Sequence, residues 1–176
     1  TLVGFRMGLP AFRDNDPARA AAVESYFDYA RDNDLYLSYV IINPQSDKAK
    51  SASGQPDAHL VASVVDEDAE GITIRGAKML ATSGIMANEI LVSGFNALQA
   101  GDEAYAFTAV TPIGTRGLTL MSRRSYEQAA TSTFDYPLSS QFDENDAVVY
   151  FDDVKIPWDR VFVFKDLKMA QAQWHD

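Results

Sequence analysis

Cysteine is absent from this chain. That excludes a disulfide framework, a thiolate nucleophile and a thiolate-held metal. Histidine is scarce. His59 and His175 are the two present, too few for a histidine-rich metal site, and no metal is expected. Positive charge is also short: 15 Lys and Arg stand against 25 Asp and Glu, a net charge of −10. That balance argues against a nucleic-acid or anionic-membrane surface. No apolar run approaches the ~20 residues that span a bilayer. No G-x-G-x-x-G occurs, so a Rossmann reading has no support. Neither histidine has a nucleophile signature near it. There is no internal repeat and no low-complexity tract. The chain starts at Thr1, without a Met or a basic-then-apolar leader, which leaves open a processed chain or a piece of something longer.

What remains is an ordinary soluble composition, 47% hydrophobic and 23% charged over 176 residues. That length suits about one domain with a real core. The central stretch is Tyr36–Lys50, YLSYVIINPQSDKAK. Its β-branched run, Tyr39 to Ile42, suits a buried strand, and Asn43-Pro44 stops it. The strand then delivers Gln45, Ser46, Asp47 and Lys48 to a sheet edge, as donors and acceptors around a polar ligand. The plainer reading is a solvated turn.

Before this strand, Asp16-Pro17 reads as a helix start. Ala18, Ala22, Val23, Tyr26, Phe27 and Ala30 then recur at three- and four-residue steps, which predicts one amphipathic helix to about Asp32. Thr1–Arg13 shows no clear period. After Lys50, a small polar loop precedes mostly strand. Strands are predicted at Leu35–Ile42, His59–Asp66, Gly71–Lys78, Met79–Thr82, Glu89–Ser93, Tyr105–Thr111, Gly117–Arg123, Asp146–Val154 and Val161–Phe164. The first pair after the loop should form a hairpin, since Ile72 and Ile74 alternate with Thr73 and Arg75. Short strands at short spacing suggest a β-barrel or sandwich. Lys165–Trp174 reads as the start of a helix. Asp143, Glu144 and Asp146 lack calcium-loop spacing and read as a solvated or capping cluster. Thr82-Ser83-Gly84 places hydroxyls at a strand end, where they suit a ligand or a plain turn.

Three runs carry a resemblance: NPQSDKAK (Asn43–Lys50), HLVASVVDEDAEGITIRGAKMLATSG (His59–Gly84) and FDYPLSSQFDENDAVVYFDDVKIPWDRVF (Phe134–Phe162). Together they resemble the oxygenase component of the 4-hydroxyphenylacetate 3-monooxygenase family, and its chlorophenol and carrier-bound tyrosine hydroxylase relatives. The last run also resembles the end of the middle β-domain of acyl-CoA dehydrogenases. The resemblance implies a mainly β chain. Its parts would be the tail of a helical domain at residues 1–34, an acyl-CoA dehydrogenase-like middle β-barrel domain at 35–165, and the start of a C-terminal helical bundle at 166–176. It also implies a longer parent protein with its catalytic pocket between domains.

The chemistry so implied is hydroxylation of a phenol ortho to its hydroxyl by O2 and reduced FAD, through a flavin C4a-hydroperoxide. The cofactor carries the hard step, and the protein positions and desolvates it. A separate flavin reductase would supply the reduced FAD. A cytoplasmic dimer or tetramer is the expected setting. By position, Tyr39, Val40, Ile41, Gln45, Ser46, Asp47 and Lys48 fall where the family contacts flavin. Thr82 falls at the reactive edge of the ring and is the candidate catalytic residue. Tyr39, Ser93 and Gly94 fall by the substrate. Several relatives carry a histidine at the Tyr39 position; tyrosine, with a free pKa of ~10, is a poor base at neutral pH. The implied substrate is therefore a phenol in general: 4-hydroxyphenylacetate-like, a chlorophenol or tyrosine-derived. Two other readings stand beside this one. One is a non-catalytic β-barrel module for assembly or small-ligand binding. The other is an acyl-CoA dehydrogenase-like oxidoreductase. The iron–sulfur chemistry of the related 4-hydroxybutyryl-CoA dehydratases loses support without cysteine.

Overall fold

The computed structural model describes residues 1–44 and 47–173. Three helices open it: α1 (Leu2–Met7), α2 (Leu9–Asn15) and α3 (Pro17–Asp32). α3 starts where Asp16 and Pro17 predict. The Asp16 carboxylate accepts from the amides of Ala18 (2.8 Å) and Arg19 (3.2 Å), which satisfies two otherwise unpaired helix-end donors. α1 and α2 leave no period in the sequence because each is under two turns long.

The strands among the described residues are β1 (Leu37–Val40), β2 (Ser63–Glu67), β3 (Gly71–Lys78), β4 (Glu89–Val92), β5 (Phe107–Pro112), β6 (Leu118–Ser122), β7 (Ala147–Pro157) and β8 (Val161–Phe164). They form two four-stranded sheets, ordered β1-β4-β5-β8 and β2-β3-β7-β6. β1 runs parallel to β4, and every other pair is antiparallel. The predicted hairpin is β2–β3. Two further short α-helices lie among the described residues, α4 (Tyr126–Ala129) and α5 (Leu167–Ala172). α5 is capped by Asp166, which accepts from Met169 N at 2.9 Å.

The expected barrel is corrected: the two sheets do not close on one another. Among the described residues a single isolated bridge, Ile42 to Met79, links the chain past β1 to the chain past β3. β1 stops at Val40 as the chain approaches Pro44, and β3 stops before Leu80, so no longer ladder can form there. Leu80 stands at φ 62°, in the left-handed region. That also cancels the strand predicted at Met79–Thr82, because a left-handed residue breaks an extended run. The strand predicted from His59 begins only at Ser63. Asp57 folds the preceding residues into a turn, accepting from His59 N at 2.8 Å through its side chain.

The layers explain the burial. Val40, Ile90, Val92 and Phe107 of the first sheet pack against Ile72, Ile74, Val149, Val154 and Ile156 of the second. The other face of the first sheet, with Leu91, Val110 and Phe162, is covered by Phe5, Phe12, Val23 and Tyr26 of the opening helices and Met169 of α5. β1 therefore has one face in each core. At its end it turns toward solvent at the corner where the sheets meet.

Candidate functional site

Thr82 sits beside the start of β1, fixed from two sides. Its carbonyl accepts from Ser38 Oγ of β1 at 2.7 Å, and its hydroxyl donates to Asp146 Oδ1 at 2.6 Å. The flanking backbone is pinned to the approach to β7: Ala81 N donates to Ala147 O, and Ser83 N to Asn145 O, both at 3.0 Å. Ser83 holds φ 54°, and its hydroxyl donates to Glu144 O at 3.0 Å.

The acidic cluster behind Thr82 is tied down rather than simply solvated. Asp143 forms a two-point ion pair with Arg123, and also accepts from Tyr126 N and Asn145 N. The Arg123 hydrogen bond, followed by those two amides, holds the Asp143 carboxyl down to about 2. Arg123 lies over the Tyr126 ring at 4.6 Å and approaches Asp146 at 3.9 Å. Asn145 Oδ1 is buried and, among the described residues, has no hydrogen-bond donor.

The other predicted residues divide by location. Tyr39 is half exposed, and its partial burial raises the phenol pKa above the usual value. Tyr39 and Ile41 share the strand parity of Leu37, which packs on the helix-side core. Val40 is fully buried between the sheets, so it offers a ligand only main chain; its carbonyl already accepts from Ser93 N at 3.2 Å. Asp47 closes its own turn, accepting from Ala49 N at 3.0 Å. Lys48 is exposed beside a polar cleft of about 260 Å³ that also includes Asn43, Gln55 and Asn96. Gln45 and Ser46 lie outside the described residues.

Ser93 is buried and hydrogen-bonded to Thr108 Oγ1 at 2.7 Å, with Gln173 Nε2 at 3.4 Å. Its hydroxyl belongs to an internal cluster. Gly94 lines a second cleft, about 520 Å³, with Phe95, Lys168 and Gln171. The two clefts share Asn96 and Ala97, while Tyr39 and Thr82 line neither. The predicted residues thus lie along β1, with Thr82 beside Ser38 near its start and Lys48, Ser93 and Gly94 at or beyond its end, and they do not meet in one pocket.

Sequence reasoning missed Lys78. This side chain is 2% exposed and donates to Asn43 Oδ1 at 2.6 Å. A Cβ on Gly94 would lie 3.9 Å from its Nζ. Lys78 therefore holds the Asn43 turn and lies close to the Gly94 loop, and burial lowers its pKa to about 7. A signal existed: Lys78 keeps the alternation of buried Ile72 and Ile74. Asp146 was read as part of a solvated or capping cluster, and its particular partner was missed because the contact with Thr82 spans 64 positions.

Comparison with known proteins places this geometry. The pattern described as "4-hydroxyphenylacetate 3-hydroxylase N terminal" matches residues 2–163. The chain belongs to the 4-hydroxyphenylacetate 3-hydroxylase family. One member of this hydroxylase family, a 4-hydroxyphenylacetate 3-monooxygenase oxygenase component from Thermus thermophilus, is 41% identical over 86% of this chain. The match takes in 31% of that relative, so this chain spans about a third of its length. A crystal structure of a 4-hydroxyphenylacetate 3-monooxygenase oxygenase component, complexed with FAD and 4-hydroxyphenylacetate, superposes with a TM-score of 0.85. It is 36% identical, and the match covers 98% of this chain and 35% of that one. An archaeal 4-hydroxybutyryl-CoA dehydratase from N. maritimus shares the fold at 21% identity and a TM-score of 0.85, over 96% of this chain and 34% of its own. The fold of this family member is mainly β and acyl-CoA dehydrogenase-like.

Proposed function

We propose that this chain forms the flavin-facing β-region of the oxygenase component of a two-component monooxygenase. That oxygenase uses reduced FAD and O2 to hydroxylate a phenol ortho to its hydroxyl. The observation that carries the reading is the 36% identical, FAD- and substrate-bound relative, matched over 98% of the chain. A flavin reductase is the partner that supplies reduced FAD, and the working assembly is a dimer or tetramer. In the complete protein, residues 1–34 close a helical domain, 35–165 form the middle domain and 166–176 open a helical bundle.

The residues present suit a flavin. A ring system needs polar groups along one edge and an apolar wall, with water kept out. Thr82 offers a rigidly held hydroxyl oxygen. Tyr39 offers a half-exposed phenol, and Ile41 a partly buried aliphatic surface. Lys48 offers a cation beside a polar cleft. When bound, reduced flavin activates O2 and supplies the electrophilic oxygen atom. The protein residues hold the ring, orient the phenol and exclude water. Tyr39 serves as a hydrogen-bond partner to the phenol oxygen rather than as a base, since its raised pKa keeps it protonated at neutral pH.

The test is a coupled assay of the full-length oxygenase with a flavin reductase, NADH, FAD and a panel of 4-substituted phenols. The expected product is the catechol, identified by mass and substitution pattern. NADH consumption that yields only hydrogen peroxide across the panel would overturn the assignment.

A further inference from the structure

We propose that Asp146 is a positioning residue that makes Thr82 a hydrogen-bond acceptor toward the flavin edge, and so biases the site toward reduced FAD. The inference rests on the flavin reading above. A carboxylate only accepts, so the 2.6 Å contact fixes the Thr82 hydroxyl proton on Asp146 Oδ1. A hydroxyl has one proton and two lone pairs. With the proton turned to Asp146, Thr82 Oγ1 presents only acceptor capacity elsewhere.

The main chain on either side of this hydroxyl is held as well. Ser38 holds the Thr82 carbonyl, and Ala81 N and Ser83 N are bonded on either side. Asp146 is itself placed by main chain, its carbonyl accepting from Arg123 N at 2.9 Å. Flavin chemistry makes the direction matter. Reduced flavin carries a hydrogen on N5 and donates there, whereas oxidised flavin has only a lone pair at N5. An acceptor facing N5 therefore favours the reduced ring and leaves the oxidised ring without a partner. A freely rotating threonine would serve both forms and discriminate between neither.

A purely electrostatic role for Asp146 predicts the opposite sign. Removing a nearby negative charge would favour the more electron-rich reduced flavin, so neutral variants would raise the preference for it. The test uses the full-length oxygenase under anaerobic conditions. Dissociation constants for oxidised and reduced FAD are measured for wild type, Thr82→Val, Asp146→Ala, Asp146→Asn and the Thr82→Val/Asp146→Ala double variant.

Asp146→Ala is expected to lower the preference for reduced FAD about fivefold, the worth of one ordinary hydrogen bond. Thr82→Val should lower it by a similar factor, and the double variant should go no further than Thr82→Val. Asp146→Asn, whose carbonyl still accepts the Thr82 proton, should stay close to wild type. Asp143 remains paired with Arg123 in all of these. If Asp146→Ala nevertheless fails to fold, Asp146→Ser, too short to hold the same hydroxyl, carries the same expectation. A shift in Thr82→Val with no fall in Asp146→Ala, or additive effects in the double variant, would overturn the Asp146 inference and leave the flavin reading standing. No shift in Thr82→Val would instead remove Thr82 from the flavin edge, and the inference with it.

Discussion

At the scale of single residues, Lys78 offers a direct test of burial. Its ammonium is drawn down from 10.5 to about 7 by desolvation. Between those values the unfolded chain holds a proton that the folded chain has released, so stability rises with pH across that window and is level below it. Lys78→Met should abolish the rise, as read from urea unfolding at a series of pH values. The same slope in the variant would assign it to another group. Thr82 supports a second prediction. Thr82→Ala in the full-length oxygenase should fold normally and bind reduced FAD within about tenfold of wild type. It should release more hydrogen peroxide per NADH and hydroxylate less; an unchanged peroxide yield would show that the hydroxyl only closes a turn. Polar residue types in the loops that follow β1 and β3 were legible in the sequence, which is why Thr82 and Lys48 were singled out. Partnerships were not. Asp146 lies 64 positions from Thr82 and Lys78 lies 35 from Asn43, and no local pattern encodes such pairs.

Among the elements, α3 and the β2–β3 hairpin were legible because each carries its own signal: a capping aspartate before a proline in one, strict alternation in the other. Met79–Thr82 misled because its apolar content suits a strand, while its left-handed Leu80 falls between Met79 N, bonded to Ile42 O, and Ala81 N, bonded to Ala147 O. Barrel closure misled for a related reason: strands can be read locally, but which edges meet depends on distant partners. The docking of α3 onto the first sheet is likewise long-range. Tyr26 donates to Glu89 at 2.8 Å, and Arg160 pairs with the same buried carboxylate while lying over Tyr26 and Tyr29. Burial and the Glu89 contact push the Tyr26 hydroxyl strongly upward in pKa, so it stays a donor. Glu89→Ala leaves Arg160 partly buried without its carboxylate and should cost about 3–5 kcal/mol. Tyr26→Phe removes one hydrogen bond and should cost about 1–2 kcal/mol. Chemical denaturation of the two variants checks both the sizes and their order.

For the whole molecule, charge and apolar exposure pull in different directions. The net charge of −10 favours solubility. Yet Phe134, Leu138 and Phe142 are 90%, 72% and 75% exposed in one loop segment, and Met86 and Met121 are also exposed. Large apolar side chains left exposed in one loop segment favour contact with other surfaces. Residues 1–176 studied alone are therefore expected to self-associate, with a sedimentation coefficient that rises with concentration; a sharp monomer boundary at high concentration would refute this. One feature of the first sheet also bears on biosynthesis. β1 finds its neighbour β4 only 52 positions later, since Tyr36 N donates to Asn88 Oδ1 at the start of that parallel pair. A ribosome adding about 5–20 residues per second needs several seconds to cover that distance. Throughout that interval the strand bearing Tyr39 waits without its sheet, while the β2–β3 hairpin can already form. The candidate flavin region is thus assembled only after β4 has been made, and a nascent chain stalled before residue 89 should present β1 to chaperones.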